Sequence, residues 1–276
     1  MSNLLMSGKE NVLHIGLVQS NIFWHQAERN RQHLSEILNT LPSATHLVVL
    51  PEMFSTGFSM DVHNIAENAH NSPTLQWMQA QAKEKQFAIC GSCCIFEPQD
   101  QTYRNRLWFV FPDGKYEYYD KRHLFSIAGE HHFYAAGTTQ KIVRFRQWRI
   151  ALNICYDLRF PVWSRLSPNF SYDLLLYVAN WPQKRITAWN KLLAARAIEN
   201  QAYVVGVNRV GTDANEIIYT GNSAAYDYIG EELVQMSAQD SVQTSVANIE
   251  IAQNSLQYFR HHFPVTADAD NFSLLQ

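Results

Sequence analysis

The chain has 276 residues, 46% of them hydrophobic and 17% charged, with a net charge of −3. That length and apolar content are enough to build a full hydrophobic core. The small negative charge, without any long basic run, argues against a nucleic-acid partner or an anionic membrane surface.

In chain order, residues 14–19 read as a strand, 27–41 as a helix, and 46–50 as a second strand stopped by Pro51, which cannot donate to a central ladder. Residues 73–85 read as a helix and 87–96 as an apolar strand. Segments 106–111 and 116–120 flank Pro112-Asp113-Gly114, a turn signal, and so read as a hairpin. A second hairpin is expected from 142–145 and 150–154, ending just before Cys155. Residues 173–178 form a strand closed off by Trp181-Pro182. Residues 187–201 read as a helix, with Trp189, Leu192, Leu193, Arg196 and Ala197 at helical spacing. A strand at 203–207, a hairpin within 221–234, a strand at 242–251 and a short helix at 255–262 complete the reading.

Strands interleaved with helices, together with hairpins, point to an α/β protein with mixed sheets. No repeat, low-complexity stretch or linker divides the chain, so one domain is expected over residues 1–276. The polar residues 1–10 lack the apolar core of a signal peptide, and runs such as 174–179 are far too short to span a bilayer. Cys90, Cys93 and Cys94 cluster while Cys155 stands alone, unlike a secreted disulfide framework. A reduced, cytoplasmic setting is the expectation.

Cys155 follows the apolar run Ile150-Ala151-Leu152-Asn153-Ile154 and precedes the polar turn Tyr156-Asp157-Leu158-Arg159. A strand that gives way abruptly to such a turn is one way to present a nucleophile, although free cysteines are also common core residues. Glu52 directly follows a strand and a proline, where partial desolvation suits a carboxylate to general-base work; the alternative is an edge residue turned to solvent. Lys121, in Asp120-Lys121-Arg122-His123, reads in isolation as a solvated loop. All three share a position at the end of an expected strand, where ligand sites of α/β sheets collect. Cys90-x-x-Cys93 lies inside an apolar strand, with its thiols on alternating faces, and reads as core packing. The 11 histidines show no metal-binding spacing, so no metal site is expected.

Three segments in one order are more specific than any of them alone: Leu50-Pro51-Glu52-Met53-Phe54, Tyr119-Asp120-Lys121-Arg122-His123-Leu124-Phe125, and Ile154-Cys155-Tyr156-Asp157-Leu158-Arg159-Phe160-Pro161. They resemble the nitrilase superfamily of carbon–nitrogen hydrolases, over a core of about residues 13–264. Val162-Trp163-Ser164-Arg165 and Val178-Ala179-Asn180-Trp181-Pro182 look like its bacterial omega-amidase branch, the YafV type. Two departures from the wider pattern are Val162, where many members carry a glutamate, and Asp227-Tyr228-Ile229-Gly230, where relatives often have a proline-bearing turn.

The resemblance implies a nitrilase-like α-β-β-α sandwich with mixed sheets that pairs into a homodimer. It makes Cys155 the nucleophile, Glu52 the general base, and Lys121 with the Tyr156 N–H the oxyanion donors, while Glu130 positions lysine and substrate. Arg159 and Trp181 would contact a substrate carboxylate, with Phe125 and Trp181 walling a small cavity. The Lys121 ammonium would draw the Cys155 thiol toward the thiolate. No cofactor is required, and the partner is a small amide such as 2-oxoglutaramate or 2-oxosuccinamate. Other activities of the superfamily (nitrilase, carbamoyl-amine hydrolase, aliphatic amidase) and a non-catalytic scaffold remain open, as does an Arg159 that merely braces its turn against Asp157 or Glu130.

Overall fold

The computed structural model describes residues 11–236, 243–270 and 274. Residues 1–10 and Val242, where a strand was expected to begin, lie outside the described residues. The first half of the chain runs β1 (Val12–Gln19), α1 (Ala27–Leu38), β2 (Leu47–Val49), α2 (Val62–Ile65), β3 (Glu67–Asn68), α3 (Pro73–Lys85), β4 (Ala88–Glu97), β5 (Thr102–Val110) and β6 (Tyr116–Asp120). The second half runs β7 (Ile142–Phe145), β8 (Trp148–Ile154), α4 (Pro161–Ser164), β9 (Leu174–Ala179), α5 (Ile186–Asn200), β10 (Tyr203–Asn208), β11 (Val210–Thr212), β12 (Ile218–Thr220), β13 (Ala224–Tyr226), β14 (Glu232–Gln235), β15 (Ser245–Ala252) and α6 (Gln253–His262).

Two mixed sheets result. One has the order β15-β1-β2-β4-β5-β6, with β3 beside β4; the other has the order β14-β13-β10-β9-β8-β7. Their central strands β2 and β9 are apolar at every position, so both faces must be covered. Leu47 and Val49 of β2 face the core between the sheets together with Leu174, Leu176 and Val178 of β9. Val48, one residue out of phase, faces outward against Leu34 and Leu38 of α1 and Met78 of α3. On the far side Leu175, Tyr177 and Ala179 pack on Trp189, Leu193 and Ala197 of α5. Helices thus cover both outer faces of the paired sheets, which gives the expected α-β-β-α sandwich. Each fully buried aliphatic or aromatic side chain here contributes about 1.5–3 kcal/mol by leaving water.

Local chemistry sets several boundaries. Ser72 caps α3 by accepting from the Leu75 N–H at 3.0 Å, Pro73 occupies its first turn, and Gln86 ends it in a left-handed conformation. The first helix stops at Leu38, short of the expected 41, because Thr40 bonds back to the Ile37 carbonyl and Pro42 follows. The β11–β12 hairpin was not foreseen. Its strands are three residues each, too short to show alternation, and Asp213 makes the turn by accepting from the Asn215 and Ile217 N–H groups. The turn without a proline at 227–230 closes in the same way: Asp227 Oδ1 accepts from Ile229 and Glu231 N–H, and Gly230 takes the left-handed conformation at φ +91°. Among the described residues no helix is long and apolar enough to cross a membrane.

Candidate active site

Strand direction brings the three expected residues together. β1, β2 and β4 are parallel, and β6 follows β4 and β5 through two antiparallel steps, so it points the same way as β2. In the facing sheet β8, β9 and β10 are parallel. Glu52 follows β2, Lys121 follows β6, Cys155 follows β8 and Asn180 follows β9, so all four collect at carboxyl ends of strands.

Lys121 is not a solvated loop residue, and Glu52 does not turn to solvent: each is no more than 1% exposed, and Glu130 is fully buried. The Lys121 Nζ donates to Glu52 Oε1 at 3.0 Å and to Glu130 Oε1 and Oε2 at 3.2 and 3.0 Å. Burial alone would push the lysine pKa down, but the carboxylates of Glu130 and Glu52 outweigh it and hold the ammonium above its ordinary range. Burial pushes Glu130 up, with Lys121 opposing and Glu52 reinforcing the shift. Glu52 is oriented by three more bonds. Its Oε1 accepts from Asn105 Nδ2 at 2.8 Å, its Oε2 from the Asn180 N–H at 2.7 Å, and its carbonyl from Asn180 Nδ2 at 2.6 Å. Ser92, within the Cys90–Cys94 segment, holds the turn beneath it, accepting from Met53 N–H with its hydroxyl and from Phe54 N–H with its carbonyl. Gly91 lets that turn approach, since a Cβ there would lie 2.8 Å from the Phe54 ring. The cysteines of this strand are buried core residues, as expected.

Cys155 has φ +45°, in the left-handed region that a side chain rarely adopts. Asp157 holds this turn. Its Oδ2 accepts from Ile154 N–H at 3.0 Å and from Tyr119 Oη at 2.8 Å, while its Oδ1 accepts from His123 N–H at 2.9 Å. The Cys155 sulfur lies 4.0 Å from the Asn180 carbonyl and close enough to the Glu52 carboxylate to feel its charge. Burial and the negative charge of Glu52 push the thiol well above its ordinary range, more than the Lys121 ammonium pulls it down. This corrects the expectation of a lysine-stabilised thiolate: burial and the carboxylates of Glu52 and Glu130 together favour the thiol over the thiolate. Tyr156 opens the short helical turn that follows, where backbone N–H groups have no intrahelical acceptor.

A cavity of about 440 Å³ opens above the sulfur, lined by Glu52, Lys121, Cys155, Tyr156, Phe58, Phe125, Arg159, Trp181 and Arg185, among others. Glu130 sits behind Lys121 and is not part of the wall. Arg159 does not brace its turn. Asp157 and Glu130 are engaged elsewhere, and the guanidinium lies 5.1 Å from the Trp181 ring with no ion pair among the described residues. Asn105, Asn180, Asp157 and Arg185 were not foreseen. Buried amides carry no sequence periodicity, and only their position just beyond a strand, as in Ala179-Asn180-Trp181-Pro182, could have drawn attention to one of them. Among the described residues no group of three or more His, Cys, Asp or Glu is placed to hold a metal ion.

The buried cluster predicts a particular stability defect. Lys121→Met leaves Glu52 and Glu130 facing each other without their cation and should destabilise the fold by about 3–5 kcal/mol, read as a fall in the urea midpoint at neutral pH. Burial already raises the Glu130 pKa and Lys121 opposes that shift, so without the lysine it rises further above the unfolded value of about 4.3, and the folded variant binds more protons and loses stability as pH rises above that value. The deficit against wild type should therefore shrink as pH falls toward 4. A deficit of the same size at every pH would mean that the lysine stem, not its charge, carries the effect.

The carbon-nitrogen hydrolase family model matches residues 14–256. The omega-amidase YafV of Yersinia enterocolitica is 45% identical over 266 residues, covering 96% of this chain and 100% of that protein. The 2-oxoglutaramate amidase of Bacillus subtilis (strain 168) is 27% identical over 231 residues, covering 83% and 88%. Among solved structures, XC1258 from Xanthomonas campestris, a CN-hydrolase superfamily protein with an arsenic adduct in its active site, superposes with a TM-score of 0.90 at 40% identity, covering 95% of this chain and 99% of that one. With the fold, the strand-end cluster and this match all spanning nearly the same residues, the chain belongs to the carbon–nitrogen hydrolase family, in the nitrilase superfamily.

Proposed function

We propose that the chain is an omega-amidase, hydrolysing the terminal amide of a short 2-oxo dicarboxylic half-amide to the 2-oxo acid and ammonia. The observation that carries the reading is a thiol near a carboxylate that is itself tied to a buried ammonium, in a cavity whose wall holds a guanidinium without an ion pair among the described residues. The names of the relatives point the same way.

The chemistry follows from the charges. As the Cys155 sulfur attacks the amide carbon, Glu52 takes the thiol proton, so no free thiolate need form beside two carboxylates. The carbonyl oxygen becomes an oxyanion, met by the Lys121 ammonium and the Tyr156 N–H; one such donor is typically worth about 2.7–4 kcal/mol. Glu52 then delivers the proton to the departing nitrogen, ammonia leaves, and a thioester remains. A water gives its proton to Glu52 and attacks the thioester, and collapse returns the thiol and the carboxylic acid. Glu130 holds Lys121 in line throughout. Arg159 faces the substrate carboxylate, with Trp181 and Phe125 as walls. No metal or organic cofactor takes part.

The working unit is one domain in a reducing, cytoplasmic setting, which the four free cysteines suit. It is also a homodimer. Ile198 on α5, Ile229 and Leu233 on the β13–β14 hairpin, and Tyr258 and Phe263 on α6 or just beyond it are exposed apolar side chains on adjoining elements, a face suited to a second copy. Sedimentation velocity should find twice the chain mass, and Ile198→Asp with Phe263→Asp should return it to a monomer; a wild type that stays monomeric at micromolar concentration removes this part of the reading.

The function is tested by ammonia release from 2-oxosuccinamate, a short nitrile and an N-carbamoyl amine, using wild type and Cys155→Ser. Turnover of the half-amide should far exceed the other two and vanish in the variant. A preference for the nitrile or the carbamoyl amine, or a Cys155→Ser activity within about threefold of wild type, would sink the assignment.

Arg159 separates charge recognition from general structure. A charged hydrogen bond is worth about 1.5–3 kcal/mol, so Arg159→Ala should lower kcat/KM for a carboxylated half-amide by roughly 10- to 150-fold and leave an uncharged short amide almost unchanged. Equal losses on both substrates would assign the arginine to the turn.

A further inference from the structure

We infer that Arg185 is a second specificity residue of this site, and that it binds the 2-oxo oxygen of the substrate while Arg159 takes the adjoining carboxylate. The inference rests on the omega-amidase reading and adds to it a residue and a reason for the 2-oxo group.

Both guanidinium groups line one cavity, and neither has a hydrogen bond or ion pair from its side chain among the described residues. The acids that share the cavity wall are already engaged. Asp213 accepts from Asn215 N–H, Ile217 N–H and Tyr219 Oη, and Asp61 accepts from Asn64 Nδ2 with both oxygens. Two cations are therefore left without a protein anion, in a cavity whose floor already binds the amide end through Cys155 and Lys121.

Their mounting is shared and restricts how they can act. Trp181 carries Arg159 over its ring at 5.1 Å, and its indole N–H donates to the Arg185 carbonyl at 2.8 Å. The Arg185 guanidinium in turn lies 4.8 Å from the Phe125 ring. A guanidinium attracted to an aromatic ring still has N–H edges available for a ligand. One carboxylate saturates one such edge through two parallel bonds. A second edge in the same cavity calls for a further acceptor close to that carboxylate, and a 2-oxo acid supplies one on the neighbouring carbon. A plain half-amide, with a methylene there, leaves the second guanidinium unanswered.

The test compares three amides: 2-oxosuccinamate, succinamate, which differs only by a methylene in place of the oxo group, and uncharged butyramide. Arg185→Met should lower kcat/KM on 2-oxosuccinamate by roughly 10- to 150-fold, chiefly through KM, while succinamate falls much less and butyramide stays within about twofold. Arg185→Lys should recover part of the loss, because a point charge replaces only part of the planar fork. The Trp181 bond uses the backbone carbonyl of Arg185, so both variants keep it, and butyramide turnover reports whether the site is intact. An Arg185→Met protein that keeps the wild-type ratio of 2-oxosuccinamate to succinamate overturns the inference, and so do equal losses on these two or on all three amides. A wild type that does not favour 2-oxosuccinamate over butyramide is a different failure: it overturns the omega-amidase reading, and this inference falls with it.

Discussion

The Lys121 ammonium is shut away from water between the Glu52 and Glu130 carboxylates, and much of the site is arranged around keeping it there. A lone buried ammonium would lose its proton, and two facing buried carboxylates would hold one between them. Together, and with Asn105 and Asn180 filling the remaining lone pairs of Glu52, the three groups are held in a fixed arrangement. Burial, reinforced by the charge of Glu52, raises the neighbouring thiol. The acid–base character of the site is thus a property of the cluster and of no single member.

A second constraint acts on the other sheet. Cys155 is held in a left-handed backbone conformation that a cysteine would leave if it could, and Asp157 prevents this by gripping Ile154 N–H on one side and Tyr119 and His123 on the other. Tyr119 also accepts from the Trp163 indole at 2.9 Å. The end of β6, which carries Lys121, and the turn after β8, which carries Cys155, are therefore pinned to one buried carboxylate. Their separation is set by hydrogen bonds and not only by the packing of the sheets.

Recognition of the far end of the substrate has a different physical basis. Lys121, Glu52 and Glu130 pair with one another, whereas two guanidinium groups of the same cavity wall have aromatic neighbours but, among the described residues, no anion. A site that satisfies its catalytic charges internally and leaves its peripheral ones open transfers the task of neutralisation to the ligand.

Much of this was legible in the residue string. Residues 46–50 and 173–178 read as the strands that became β2 and β9, the helix read at 73–85 has the bounds of α3, and the segments around Glu52, Lys121 and Cys155 identified the three strand ends. Local pattern suffices there because capping and period-two burial involve near neighbours in sequence. The sequence could not say that Lys121 is buried, since a Lys-Arg-His run looks solvated until Glu52 and Glu130, 69 and 9 residues away, close over it. Nor could it reveal that Asn180 orients Glu52 across 128 residues, that Asp157 holds the Cys155 turn, or that Arg185 shares a cavity with Arg159. Chain order and residue type decided which groups were available. Whether each is charged, paired or free for a ligand depends on distances between strand ends in two facing sheets, and those exist only once the sheets have packed.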